Sequence, residues 1–170
     1  VTDDTDIVDS AGPVSFAGLF TGSFGNDGFL DADDNNVEDA NALAYSLSIA
    51  GGNGASSGLV DVLTGDAILL RVNAAGDIEG YVSSNPALVA FTIDLNPDTG
   101  SVSLTQNRAI QHNDPTDPIE SGASAAVMGA NLIVLTATIT DGDGDSASAT
   151  ANIGDAFRFE DDGPSISRNT

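Results

Sequence analysis

The sequence predicts an all-β fold, a β-sandwich (Ig-like or a related Greek key) of about nine or ten short strands. Three observations lead to this prediction. Apolar and polar residues alternate with a period of two in many short segments, which is the pattern of half-buried strands. Glycine, proline, asparagine and aspartate cluster between these segments, and helical periodicity is almost absent. The 170 residues are enough for one domain with a real core.

Alternation predicts four strands in the first half of the chain, beside a strand-like segment at 59–62. Alternation over residues 14–20 predicts the first strand, and alternation over 45–49 predicts the second, after a long acidic loop at 22–41. Residues 68–72 and 78–82 alternate in the same way and are separated by a short polar turn, so we expect them to form a hairpin.

The second half of the chain contains two further predicted hairpins. Residues 91–95 and 102–104 flank an Asn-Pro-Asp-Thr-Gly sequence, which combines several strong turn formers. Residues 133–139 and 147–153 flank an Asp-Gly-Asp-Gly-Asp sequence. Both pairs of segments alternate with a period of two, so each is expected to form two antiparallel strands around its turn.

The charge of the chain limits its partners. Twenty-six acidic residues face four arginines, and the formal net charge is −22. Nucleic acids and anionic membrane surfaces attract basic patches, so neither is an expected partner. No apolar run approaches the length of a membrane span, and without cysteine the fold cannot rely on disulfides. Calcium (Ca2+) is the expected compensation for the acidic charge, and a generally acidic, halophilic surface is the alternative.

The centre of the predicted calcium chemistry is a run of three aspartates, Asp141, Asp143 and Asp145, with only glycines between them. Like charges so close repel one another and are tolerated mainly when a cation lies among them. We therefore predict a calcium-binding hairpin tip. The spacing is that of the first half of an EF-hand loop, but Ser146 replaces its glycine and Asn152 its bidentate glutamate, so the site is not an EF-hand.

The long loop 22–41 is the second candidate cation site. Six acidic residues lie within thirteen positions of this loop, together with glycines and asparagines. Asp27, Asp31 and Asp33 are its predicted calcium ligands, since carboxylates on a loop of turn-forming residues can converge on one ion. A solvated acidic loop without an ion is the alternative.

Acidic pairs near the two ends of the sequence form a third candidate site. Asp3 and Asp4 lie near the beginning, and Asp161 and Asp162 lie near the end. In a tandem array, the exit of one copy would meet the entry of the next, and calcium bound between them would stiffen the joint. A plain acidic linker is the alternative.

Enzymatic activity is not expected. Residues 54–58 match the Gly-x-Ser-x-Gly pattern of a nucleophile elbow, but that elbow needs a helix after the serine, and residues 59–62 have the pattern of a strand. The only histidine, His112, has no plausible serine partner and is expected to be a structural hydrogen-bonding residue near Asp114.

The C-terminal third of the chain carries a resemblance to a known family. The relevant segments are 137–149 with its Asp-Gly-Asp-Gly-Asp sequence, Ile-Gly at 153–154, and Phe-Glu-Asp-Asp-Gly-Pro at 159–164. Further segments fit the same pattern in order, namely 57–59, 64–68, 80–82, 90–93 and 108–112. Over about residues 40–166, the chain resembles the large tandem repeat module of RTX adhesins, which Gram-negative bacteria export by type I secretion.

This resemblance implies a calcium-stabilised β-sandwich that is secreted or displayed on the cell surface. The module would act as an extender or scaffold in a giant adhesin that supports adhesion and biofilm formation. The resemblance also implies that Asp141, Asp143 and Asp145 are the best calcium ligands, followed by Asp161 and Asp162. Residues 1–166 are predicted to form one repeat and residues 167–170 a linker, with neighbouring repeats as partners and the isolated module a monomer.

A ligand-binding head is the alternative function. In that case the loops at 22–41 and 111–122 would contact a sugar, a peptide or a surface. Few aromatic residues are available to stack on a sugar, because aromatic side chains make up 5% of the sequence.

Overall fold

The computed structural model describes residues 2–3, 9–112, 122–160 and 167–168. These residues form twelve β-strands and three short 3-10 turns, and they contain no α-helix. The strands are β1 (Thr2–Asp3), β2 (Asp9–Ser15), β3 (Leu43–Ile49), β4 (Ser56–Val60), β5 (Ala67–Val72), β6 (Ile78–Val82), β7 (Asn85–Asn96), β8 (Ser101–Gln106), β9 (Ala126–Val127), β10 (Ile133–Thr140), β11 (Ser146–Asn152) and β12 (Arg158–Glu160). The 3-10 turns are Ala17–Leu19, Gly122–Ser124 and Gly154–Ala156.

The prediction of an all-β sandwich is confirmed. The number of strands exceeds the prediction by β1 and β9, which have two residues each and are too short to show alternation. The three predicted hairpins are present as β5–β6, β7–β8 and β10–β11. The predicted strand at 14–20 lies earlier, because β2 ends at Ser15 and the chain then enters the 3-10 turn at Ala17–Leu19.

The strands form two layers and a small third sheet. The large sheet has the order β2-β8-β7-β6-β5-β4, and it packs against a three-stranded sheet of order β11-β10-β3. The core lies between these layers. On β10, for example, Ile133, Leu135 and Ala137 are buried, while Thr136 and Thr138 on the opposite face are only half-buried. Period-two alternation therefore separates the core face from the solvent face of this strand.

The third sheet joins the two ends of the described chain. Its order is β1-β12-β9, and β1 runs parallel to β12 with Asp3 opposite Glu160. Parallel pairing means that the chain runs in one direction through both strands. It therefore enters β1 and leaves β12 at opposite ends of this sheet. Among the described residues, no helix has the length and apolar character needed to cross a membrane.

Gly80 on β6 makes room for a large core side chain. A Cβ atom at this position would lie well inside contact distance of the Phe91 ring, which is itself fully buried on the neighbouring strand β7. The Phe91 ring also packs against Phe159 of β12, with 5.0 Å between the ring centroids. The glycine thus allows one phenylalanine to join the large sheet to the small third sheet.

A buried ion pair holds the β4–β5 connection to the segment after β8. The Asp61 carboxylate is fully buried and accepts hydrogen bonds from Nε and Nη2 of Arg108, at 2.7 and 3.0 Å. The backbone N–H and hydroxyl of Thr64 also donate to Asp61 Oδ2, at 3.0 and 2.8 Å. Burial opposes ionisation of Asp61, but these hydrogen bonds and the Arg108 charge outweigh it and lower its pKa.

Replacing Gly80 by alanine is expected to destabilise the fold by about 1–3 kcal/mol, because the added methyl group forces the Phe91 ring out of its position. Gly18→Ala is the matched control, since nothing lies within 4 Å of a Cβ built at Gly18. Urea unfolding monitored by circular dichroism measures both variants. Equal stabilities for the two variants would contradict the packing described for Phe91.

Asp61→Asn is expected to cost about 3 kcal/mol at neutral pH, because it leaves the Arg108 charge without its partner in a largely buried site. The lowered pKa of Asp61 makes this difference dependent on pH. The ionised carboxylate contributes stability above its ordinary pKa of 3.8, and this contribution is lost as the pH falls through the lower value in the folded state.

The advantage of the wild type over Asp61→Asn should therefore shrink below about pH 4. Asp98→Asn, at an exposed turn, controls for the loss of one negative charge. Unfolding free energies measured by urea titration between pH 3 and pH 7 test this expectation. A difference between wild type and Asp61→Asn that is independent of pH would show that the ionised pair is not the stabilising element.

Candidate metal centre

The tip of the β10–β11 hairpin is shaped by the side chain of Asp141. The backbone N–H of Asp141 donates to the carbonyl of Asp145 at 3.0 Å, and the N–H of Asp145 donates to Asp141 Oδ1 at 2.9 Å. The N–H of Gly144 donates to the Asp141 carbonyl at 3.1 Å. Glycine suits this position, because Gly144 has a φ of +95°. The turn is thus closed by one aspartate, as an Asx-type turn.

The acidic loop 22–41 packs against this hairpin tip. The N–H of Gly142 donates to the carbonyl of Gly28 at 3.1 Å, and the N–H of Leu30 donates to the carbonyl of Thr140 at 3.2 Å. A Cβ atom at Gly142 would lie 2.6 Å from the carbonyl oxygen of Asp27, so only glycine allows this close approach of the two backbones. The glycine between the aspartates therefore has a packing role as well as a turn role.

The docking of the loop brings three carboxylates together. Oxygen atoms of Asp27, Asp141 and Asp143 all lie within 4.8 Å of one another. Asp141 is half-buried and the other two side chains are exposed. The donor set consists of carboxylate oxygens with a backbone carbonyl, that of Asp27, close to Gly142. Hard divalent cations such as calcium prefer such all-oxygen sets, so the side chains fit this type of ion.

The electrostatics of the cluster reflect the close approach of its members. The hydrogen bond with Asp141 and the negative charge of that carboxylate raise the pKa of Asp143. The same hydrogen bond lowers the pKa of Asp141, helped by backbone N–H groups of residues 143–145. Two neighbouring carboxylates whose pKa values are pushed apart in this way repel each other when both are ionised. Protonation of one carboxylate or binding of a cation relieves this repulsion.

A second group of carboxylates lies within the same loop. Oxygen atoms of Asp31, Asp33 and Asp39 lie within 4.8 Å of one another. Asp31 accepts hydrogen bonds from the backbone N–H groups of Asn35 and Asn36 at 3.0 and 2.8 Å, and Asp39 accepts one from Ala32 at 2.9 Å. These bonds wrap the loop around its own acidic side chains, so the loop is folded rather than extended.

Asp39 belongs to this group but was not among the ligands predicted from the sequence, although its spacing from Asp31 was informative. Asp31, Asp33, Asn35 and Asp39 stand at relative positions 1, 3, 5 and 9, which are ligand positions of an EF-hand loop. The sixth position of such a loop is normally glycine. Here it is Asn36, which adopts a φ of +60° that asparagine tolerates. Alanine occupies the twelfth position, so the bidentate glutamate of an EF-hand is absent from this sequence.

In the structure, the predicted ligands are grouped differently from the prediction. Asp27 was predicted to act with Asp31 and Asp33, but its carboxylate lies with the hairpin aspartates instead. Asp145 was predicted to be a ligand with Asp141 and Asp143, yet its side chain is not among the three that converge. Its backbone N–H and carbonyl close the turn.

The predicted site at the ends of the chain lies largely outside the described residues. Asp4, Asp161 and Asp162 fall in segments that the structure does not describe. The backbone of Asp3 lies opposite that of Glu160 within one parallel pair of the same chain.

The structure also shows the surroundings of His112 and of Ser56, the two residues considered for enzymatic activity. His112 Nε2 lies 2.9 Å from the carbonyl oxygen of Phe159, as expected for a structural hydrogen bond, while Asp114 lies outside the described residues. Ser56 begins strand β4, so the Gly-x-Ser-x-Gly sequence is followed by a strand rather than a helix.

Comparison with protein families gives one match. A model of a domain of unknown function, DUF5801, matches residues 1–154, which include both carboxylate groups. Comparisons with curated proteins and with solved structures gave no match.

Asp143→Asn is expected to change the melting temperature in opposite directions with and without calcium. In a chelating buffer the variant should melt at a higher temperature than the wild type, because one of three repelling charges is gone. In excess calcium it should melt at a lower temperature, because the ion has lost a ligand. Asp145→Asn is the matched control, and its shift in melting temperature is expected to have the same sign in both buffers. Shifts of one sign in both buffers for Asp143→Asn would contradict a cation site at the cluster.

Proposed function

The chain belongs to the DUF5801 family, and we propose that it is a calcium-binding structural module of a secreted or cell-surface adhesin of the RTX type. The observation that carries the proposal is the meeting of Asp27 with Asp141 and Asp143, which brings carboxylates from two distant segments within reach of one ion. The resemblance of residues 40–166 to RTX adhesin repeats supports the same function.

Two calcium ions per module are proposed within the described residues. Asp27, Asp141 and Asp143 would hold the first, with water and nearby carbonyl groups completing a shell of about six to eight oxygens. The second would be held by the loop carboxylates Asp31, Asp33 and Asp39. Calcium supplies no redox or acid–base chemistry here, and its contribution is structural. Each ion offsets charge on a chain that carries a formal net charge of −22.

The first ion would act as a link between elements. The loop 22–41 is attached to the hairpin tip by two backbone hydrogen bonds, which an ion shared by both segments would reinforce. A ligand that binds only the folded state stabilises it by about 2.7 kcal/mol at a hundred times its Kd. For a chain of this length, such a gain corresponds to a rise in melting temperature of roughly 5–10 °C.

Calcium dependence suits a protein that folds after export. Calcium is scarce in the cytosol and abundant outside the cell, so the acidic chain would remain weakly folded until it is secreted. Several ions acting together would then favour the sandwich. Calcium binding would also explain why aspartate, a residue of turns and hard-cation loops, makes up most of the acidic residues.

The parallel pairing of β1 and β12 supports a role as an extender. Because the chain enters and leaves the third sheet at opposite ends, successive modules can follow one another along a line. Neighbouring modules of the same protein are therefore the proposed partners. The tandem arrangement would set the length of the protein, and bound calcium would limit its bending.

Two copies joined head to tail are expected to be longer and less flexible in calcium than in a chelating buffer. Small-angle X-ray scattering measures both properties through the maximum dimension and the width of the distance distribution. The same pair carrying Asp27→Asn and Asp143→Asn in each copy should respond less to calcium. If wild-type scattering curves with and without calcium coincide, and both describe a flexible pair, the extender function is wrong.

A further inference from the structure

An apolar groove runs along the inner face of the three-stranded sheet, beside its edge strand β11. The cavity has a volume of about 230 Å³. Its floor and walls come from β3, β10, β11 and the beginning of the acidic loop, and they include Tyr45, Ile139, Ala147, Ala149, Phe20 and Phe24.

The groove exists because the inner face of β11 has no cover. The register places Ala147 opposite Ile139 and Ala149 opposite Ala137, so these alanines point to the same side of the sheet as the core residues of β10. Nevertheless, both alanines are exposed, whereas Ala137 is buried. The apolar face of the small sheet is therefore covered at β10 but exposed at its edge strand β11.

The backbone of β11 is also available along its outer edge. Asp141 donates to Asp145 at one end of the hairpin, and Ile153 donates to Ile133 at the other, so the odd-numbered residues of β11 bond to β10. In an antiparallel pair the intervening residues point their N–H and C=O groups the other way. Ser148 and Thr150 therefore direct theirs to the edge, where no described strand lies.

Other long edges of the described sheets carry protection that β11 lacks. The edge strand β2 contains Pro13 and an irregular register, and the edge strand β4 also has an irregular register. At the far edge of the small sheet, Tyr45 of β3 donates its N–H to the Pro97 carbonyl at 2.8 Å, so the turn after β7 occupies part of that edge. By contrast, β11 keeps an unbroken register over all seven residues and contains neither proline nor a charged side chain. Natural proteins normally protect an edge of this length.

We propose that β11 and the groove bind an extended peptide segment of a partner protein by strand addition, a role beyond the proposed calcium module. The added strand would bond to the edge of β11 and place every second side chain in the groove. The 230 Å³ volume lies below the range of about 300–1,000 Å³ that is usual for small-molecule sites, and it suits individual apolar side chains.

The acidic charge near the groove indicates that the partner segment is basic. At the hairpin end, the groove continues into a smaller pocket lined by Asp141 and Asp145 together with Phe24 and Ile139. A lysine or arginine at the end of the added strand would meet the Asp145 carboxylate, which is not one of the three assigned to the proposed calcium ion. A second copy of this chain is a poor occupant, because it brings another net charge of −22 and its own β11 carries no cation. The partner is thus a basic segment with apolar residues at alternate positions.

A fluorescein-labelled peptide, in which valine alternates with threonine between two terminal lysines, is the probe for this site. Fluorescence anisotropy should show saturable binding to the wild-type protein. A peptide with glutamate in place of lysine should bind at least about tenfold more weakly, because it meets the acidic pocket with the wrong charge.

Two variants test the location of the peptide. Ser148→Pro removes an N–H that faces the edge and leaves the backbone bonds to β10 in place, although the hydroxyl contact with Thr138 is lost. Ala149→Arg fills the groove with a cationic side chain. Each should weaken binding about tenfold or more, while Ser148→Thr should bind like the wild type. Melting temperatures close to that of the wild type verify that the variants are folded, and Ala149→Arg leaves the backbone of β11 unchanged.

Three results would overturn the proposal. They are the absence of peptide binding to the wild type, undiminished binding by a folded Ser148→Pro or Ala149→Arg variant, and sedimentation of the wild type as a dimer that the peptide does not dissociate. The last result would assign the edge to a second copy of the chain. Calcium binding is measured separately, through the rise in melting temperature, so failure of peptide binding is distinguishable from failure of the proposed function.

Discussion

Repulsion among the carboxylates at the tip of the β10–β11 hairpin is the constraint on which this end of the module depends. The backbone bonds from Gly142 to Gly28 and from Leu30 to Thr140 fix the acidic loop against the hairpin. Asp27 and Asp143 therefore cannot move far apart while the loop remains docked. Without a counter-charge the contact opposes docking, and with a cation it becomes a link between two elements. Whether the contact between Asp27 and Asp143 is repulsive or bridged by a cation thus decides how firmly the acidic loop is attached.

The consequences extend from the hairpin tip into the sandwich. Asp141 directly follows β10, the central strand of the small sheet, so a fixed tip also fixes the end of a core strand. Phe24 forms part of the apolar groove and lies only three residues before Asp27 in the same loop. Anything that holds Asp27 therefore restrains one wall of the groove beside β11. Calcium binding and peptide binding, as proposed, would share this loop.

The sequence was most informative about hairpins, which are local structures. Alternation and turn residues predicted the β5–β6, β7–β8 and β10–β11 hairpins, because each depends on neighbouring residues. Pairings between distant residues were not predictable: Asp27 joins Asp141 and Asp61 joins Arg108 only through the folding of the whole chain. The parallel pairing of β1 with β12 is equally non-local, and two-residue strands carry no periodic signal. Asp39 is different, since its position in a 1-3-5-9 spacing was visible in the sequence.

A crystal structure of the protein grown in calcium, with anomalous scattering data, tests the central claim most directly. One anomalous peak is expected among Asp27, Asp141 and Asp143 and a second among Asp31, Asp33 and Asp39, each with oxygen ligands at about 2.3–2.6 Å. Crystals grown at a calcium concentration that saturates the rise in melting temperature, but with no peak among Asp27, Asp141 and Asp143, would contradict it.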